Sequence, residues 1–107
     1  MNDSDPQLTQ QAMRLKAMGH PARLAILRVV VQGPVEGTPV GEIQGRLGIP
    51  GSTLSHHIGD LAQAGLLQAT RQGTTIRYAA CFDNLKALTS YVWENCCGGG
   101  CRDANCP

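Results

Sequence analysis

Four of the five cysteines in this 107-residue chain fall within its last twelve positions, in E-N-C-C-G-G-G-C-R-D-A-N-C-P over Glu94–Pro107. Cys96 and Cys97 are sequence neighbours, so their Cα atoms lie ~3.8 Å apart, whereas an ordinary disulfide wants about 4.4–6.8 Å. The pair closes on itself only with strain, yet it can hold a larger soft atom between its sulfurs. Gly98-Gly99-Gly100 follows at once and lets the chain fold back. A third sulfur then arrives from Cys101 or Cys106. Three thiolates without histidine suit a soft thiophilic centre with a lone pair, such as arsenic(III) or antimony(III). Zinc wants a fourth ligand. The four tail cysteines are enough to supply one, so zinc, cadmium and lead stay open, as does oxidation of these thiols to one another. Cys81 follows an apolar run and reads as a buried structural thiol.

A second chemical surface lies in I-P-G-S-T-L-S-H-H-I-G-D-L-A-Q-A-G-L-L, Ile49–Leu67. Leu54, Ile58, Leu61 and Ala62 have the spacing of a core-facing helical stripe. Ser52, Thr53, Ser55, His56 and Gly59 lie away from it. That outer face is small, uncharged and rich in hydrogen-bonding groups, where an ordinary solvated face carries Glu and Lys. It can approach a polyanion and offer donors to base edges and phosphates. His56 and His57 are adjacent on a helix and diverge by ~100°, so one ion cannot easily take both. DNA contact is the expectation for His56, and packing or phosphate contact for His57. His20, before Pro21, reads as a helix-start residue.

A chain of this length makes one domain with a small core, and such chains often complete the core by dimerising. Nine Lys and Arg against eight Asp and Glu leave a formal charge of +1, which argues against a strongly basic coat but not against a local nucleic-acid site. No apolar run is long enough to span a membrane and no signal-peptide pattern is visible. The expectation is a cytosolic protein, whose thiols stay reduced and act as ligands or sensors.

The elements that must position these groups follow from periodicity. Residues 1–6 are a polar start. Gln7–Met18 predicts a helix with a stripe of Leu8, Ala12, Leu15 and Met18. Pro21 opens a second helix, apolar on most sides through Leu24, Ile26, Leu27, Val30 and Val31, and hence central. Gln32–Thr38 reads as a loop. Pro39 starts a short helix, Val40–Leu47, facing inward with Val40, Ile43 and Leu47. Gly48-Ile49-Pro50 then connects tightly into the Ser/Thr/His helix, the order of a helix-turn-helix. After Gly65 the period changes. Leu66–Arg71 and Thr74–Ala80 predict two strands around a Gln72-Gly73 tip, with Arg71 and Arg77 on the two arms. Phe82–Asn95 predicts a last helix, apolar through Leu85, Leu88, Val92 and either Tyr91 or Trp93. The first and last helices carry more apolar surface than so small a core covers, and are expected to pair across a two-fold axis. The fold expected is mainly α with a small β-hairpin, a winged helix-turn-helix that dimerises through its first and last helices. Residues 1–95 form the DNA-binding and dimerisation domain, and residues 96–107 a cysteine-rich metalloid-binding tail.

Three stretches, L-K-A-M-G-H-P-A-R-L-A-I-L (Leu15–Leu27), S-T-L-S-H-H-I-G-D-L-A-Q-A-G-L-L (Ser52–Leu67) and R-Q-G-T-T-I-R-Y (Arg71–Tyr78), resemble the ArsR/SmtB repressors in order and spacing. The resemblance covers roughly Leu15–Leu88. It implies a homodimer on a palindromic double-stranded operator, released when an inducer binds. It also implies reading contacts from Ser52, Thr53, Ser55 and His56, half-sites ~34 Å apart, and a grip by Arg71 and Arg77 on the flanking backbone or minor groove.

The departures from the family pattern are informative. Its best-known arsenic sensors carry E-L-C-V-C-D-L at the third helix, where this chain reads T-P-V-G-E-I (Thr38–Ile43) without a thiol. The zinc sensors' carboxylate and histidine set on the last helix is missing too, since Phe82–Asn95 has no histidine. The tail instead is similar to that of arsenical repressors with an adjacent cysteine pair at the end of the last helix and one cysteine further on. That resemblance implies arsenic(III) or antimony(III) as inducer at Cys96, Cys97 and either Cys106 or Cys101, and no catalytic cofactor. An enzyme is not expected: the tail lacks C-x-x-C, and no phosphate-cradling glycine loop precedes its cysteines.

Overall fold

In the computed structural model the described residues are 5–94, so the calls on residues 1–4 and on the tail from position 95 onward lie outside them. Five helices and three strands follow in order: α1 Pro6–Met18, α2 Pro21–Gln32, β1 Thr38–Pro39, α3 Val40–Leu47, α4 Gly51–Gln63, β2 Leu67–Gln72, β3 Thr75–Ala80 and α5 Phe82–Trp93. The first two helices start as their sequences dictate. Asp5 accepts a hydrogen bond from the Gln7 amide at 3.0 Å ahead of Pro6. His20 Nδ1 accepts one from the Ala22 amide at 3.1 Å ahead of Pro21, which makes it the expected helix-start residue.

Helix α2 is central. Ile26, Leu27 and Val30 are buried against Ile43 of α3, Leu54, Ile58 and Leu61 of α4, and Leu66, Leu67 and Ala80 of the wing. Leu24 and Val31, also read as apolar core, stay exposed on the far side. The strands form one antiparallel sheet in the order β1-β3-β2. Strand β1 corrects the expectation of a plain two-stranded hairpin. Thr38 pairs with Tyr78 and Pro39 with Arg77, inside what reads as loop and helix start. Two residues are too few to show a strand period.

Helix α1 turns polar groups inward, which periodicity did not single out. Its inward side is Gln11, Arg14 and Ala17. Of the apolar stripe, Ala12 and Leu15 turn outward, Leu15 at 50% exposure, while Leu8 is half-buried and Met18 packs on the core. A polar inner face is tolerable because its groups are satisfied. Arg14 Nη1 donates to Gln11 Oε1 at 3.2 Å, and Arg14 Nε to the Ala64 carbonyl at 3.1 Å. Periodicity tells which face is apolar, not what covers it. On α5, Leu88 is buried and Leu85 packs on the core, while Val92 is 52% and Trp93 54% exposed. Tyr91, half-buried, is the more inward of the two aromatic candidates. No helix among the described residues is long and apolar enough to cross a membrane.

Candidate nucleic-acid interface

The turn between α3 and α4 is tight because Gly48 adopts φ 65°, and its amide bonds to the Gln44 carbonyl at 2.8 Å. Pro50 then caps α4, with no side chain over the first turn. Its first amides are orphan donors, a place where a phosphate oxygen is welcome. Ser52, Thr53, Ser55 and His56 are all exposed and share the outer face of this thirteen-residue helix. The surface read from the sequence is therefore open to solvent.

The inner stripe of α4 is Leu54, His57, Ile58 and Leu61. Ala62, expected there, is exposed, and His57 takes its place. His57 is only 8% exposed. Of the two uses left open for it, packing or phosphate contact, burial supports packing. Its ring lies 4.7 Å, centroid to centroid, from that of His20. Arg23 Nη1 stands 3.5 Å from His57 Nδ1 and donates to Asp60 Oδ2 at 3.2 Å, while Arg23 Nε donates to the Ala17 carbonyl at 2.6 Å. One guanidinium thus joins the end of α1 to two turns of α4.

Burial holds the His57 pKa below the usual histidine value, and the neighbouring His20, Arg23 and His56 push the same way against Asp60. A neutral ring can accept from Arg23, and a protonated one repels it. The His56 side chain is 75% exposed and its Nε2 lies 3.5 Å from Asp60 Oδ2. Asp60 therefore restrains both the half-buried arginine and the outward histidine.

In the wing, Arg71 pairs with Ile76 and Thr70 with Arg77, so the two arginines project from opposite faces of the hairpin. Arg71 is exposed near the tip, where Gly73 turns the chain at φ 61°. Arg77 is half-buried and engaged internally. Its Nε donates to Gln72 Oε1 at 3.0 Å and its Nη1 to the Gly37 carbonyl at 3.2 Å. Gly37 makes that approach possible: it sits at φ 106°, and a Cβ there would stand 3.0 Å from Arg77 Cβ. Arg77 ties the wing to the α2–α3 loop, and Arg71 is the arm free to meet a backbone.

Sequence reading missed Arg23, Arg14 and Asn84 as structural actors. For Arg23 a signal was present, because it shares the helical phase of Ile26, Leu27 and Val30 and must meet whatever they meet. Cys96, Cys97, Cys101 and Cys106 lie outside the described residues. Among the described residues no group of three or more His, Cys, Asp or Glu side chains is placed to hold a metal ion. Cys81 is a half-buried free thiol, pushed above its ordinary pKa by burial while Arg14 pulls it back.

Known proteins share this arrangement. A helix-turn-helix domain family matches residues 18–68. The chain is 31% identical to the biofilm growth-associated repressor of Agrobacterium fabrum, over 87% of this chain and 77% of that protein. It is 37% identical to the HTH-type transcriptional regulator YgaV of Escherichia coli, over 65% of this chain and 69% of that one. Among solved structures it superimposes with TM-score 0.67 and 28% identity on the homodimeric winged helix-turn-helix DNA-binding domain of Mb0332 from Mycobacterium bovis, a possible ArsR-family transcriptional regulator, covering 96% of this chain and 98% of that one.

Proposed function

Because the chain belongs to the ArsR/SmtB family of winged helix-turn-helix transcriptional regulators, we propose that it is a cytoplasmic, homodimeric repressor that leaves its operator when tail cysteines capture trivalent arsenic or antimony. It is a regulator and not an enzyme. The observation that carries the DNA-binding half is the outer face of α4: four small or imidazole side chains, all exposed, over an uncapped helix start. Each subunit lays Ser52, Thr53, Ser55 and His56 into a major groove and sets Arg71 beside a phosphate. The homodimeric relative supports pairing, and the outer apolar side chains Leu15, Val92 and Trp93, about half exposed in a single chain, favour α1 and α5 as the paired surface.

The inducer half rests on donor chemistry. Cys96, Cys97 and one of Cys101 and Cys106 offer three soft thiolates directly after the helix assigned to the interface. A captured lone-pair centre would hold those sulfurs together. The end of α5 then changes shape, and with it the distance between the two reading faces. A coupling of about 1–3 kcal/mol, several-fold to a hundredfold in affinity, is the ordinary size of such an effect.

The test is operator binding under full reductant, titrated with arsenite, antimonite, zinc and cadmium, and separately with an oxidant. Wild type should release with arsenite or antimonite. Cys96→Ser and Cys97→Ser should bind DNA as before and no longer let go, and whichever of Cys101→Ser and Cys106→Ser behaves the same way names the third ligand. Normal release by the Cys96 or Cys97 variant overturns the site. Release by zinc or cadmium alone, or by oxidation alone, reassigns the inducer.

A further inference from the structure

Helix α4 ends in a full Schellman turn. The Leu66 amide bonds back to the Leu61 carbonyl and the Gly65 amide to the Ala62 carbonyl, each at 3.0 Å, with Gly65 at φ 80°. The carbonyls of Ala64 and Gly65, at the exit of that turn, are taken by side chains instead. Arg14 of α1 donates from Nε to the Ala64 oxygen at 3.1 Å, and Asn84 of α5 donates from Nδ2 to the Gly65 oxygen at 2.8 Å. Both donors crowd the same glycine: a Cβ on Gly65 would stand 3.2 Å from Asn84 Nδ2 and 3.4 Å from Arg14 Nη2. Arg14 is 6% exposed and steadied by Gln11. The two helices that grip the exit of the reading helix are the two whose outer faces lack cover in one chain.

From this convergence we infer that Arg14 and Asn84 are positioning residues for DNA recognition, fixing the orientation of α4 against the dimerisation helices so that two reading faces engage one operator together. The inference rests on the reading of the chain as an operator-binding dimer. The side chains touch no DNA themselves. Removing a clamp lets each head swing, and a dimer with swinging heads gains less from its second contact than one whose geometry is set in advance.

Asn84→Asp is the sharpest variant, because it keeps the shape and loses the donor. Arg14→Gln and the conservative Arg14→Lys accompany it. The probe is a duplex with two half-sites recovered from a random pool by the wild-type protein, compared with the same duplex after one half is scrambled. Wild type should favour the intact duplex strongly. Asn84→Asp and Arg14→Gln should lower that preference by about tenfold or more while binding the scrambled duplex as wild type does, with Arg14→Lys recovering part of the loss. Simple destabilisation would lower both affinities together and leave their ratio intact, which overturns the inference. So does an unchanged ratio at full stability, or a variant that sediments as a monomer. Failure of the wild type to recover any two-half duplex removes the operator reading itself.

Discussion

Leu61, in the last turn of α4, is fully enclosed by its own chain, while Trp93, at the end of α5, leaves 54% of its surface uncovered. The contrast extends to the core each region builds, although the head too exposes Leu24, Val31 and Val35. The reading head, from α2 to the wing, closes over Ile26, Ile43, Leu54, Leu61 and Leu66, none more than 1% exposed. The flanking helices expose Met13, Leu15, Phe82, Val92 and Trp93, each at least half uncovered. A head that is finished within one chain can hold its reading face without help. Helices left this apolar on the outside need a second surface. The division suits the mechanism proposed above, in which the head stays rigid while its distance from a twin is adjusted.

The comparison breaks first, and with the largest effect, if the head is not the stable part. Leu61→Ala opens a cavity where no solvent reaches and should cost about 2–5 kcal/mol of unfolding free energy, as deep leucine truncations do. Denaturant midpoints of wild type and variant, at equal slope, measure it. A loss near zero would mean the enclosed core carries little of the stability.

Trp93→Glu tests the other side and should act differently in kind. Half-exposed in a single chain, Trp93 contributes little to its own head, and a surface change there typically costs under about 0.5 kcal/mol. In a dimer it buries a charge against apolar neighbours. Sedimentation should therefore shift toward monomer, and affinity for a two-half operator should fall while binding to one half-site persists. An unchanged sedimentation coefficient would sink the assignment of α5 to the interface.

These two regions were also unequally legible in the sequence. The Leu54, Ile58 and Leu61 stripe, the Gly48 turn, the wing and the outward Ser52, Thr53, Ser55 and His56 could be read directly, because local period and glycine chemistry fix them. On helix α1 the apolar residues could be read, but not the inward Gln11 and Arg14. Only the three-dimensional partner, the α4 exit at Ala64, makes a buried arginine there reasonable. The same cause hid His57 and Arg77. Each is polar, each sits in a segment rich in DNA-contacting residue types, and each is consumed by a neighbour distant in sequence: Arg23 for His57, Gly37 for Arg77. Strand β1 escaped because its pairing, not its two residues, defines it.

The smallest expected effect separates the regions by pH. The folded chain holds the His57 pKa below its ordinary value, chiefly through burial and then through His20, Arg23 and His56. In the unfolded chain His57 regains a pKa of about 6.5. Below neutrality the unfolded state therefore binds the proton more readily than the folded one, and stability rises with pH across that window. It should be full above about pH 7 and decline steadily as the medium is acidified toward pH 5.5. His57→Leu replaces the ring with an apolar side chain in the same stripe and should flatten that decline. Neither α1 nor α5 carries a histidine, so the monomer–dimer midpoint should move far less over the same interval. Thermal midpoints and sedimentation at matched pH values read the two responses separately. An acid loss of equal steepness in the His57→Leu protein would place the sensitivity elsewhere and remove this difference between head and flanking helices.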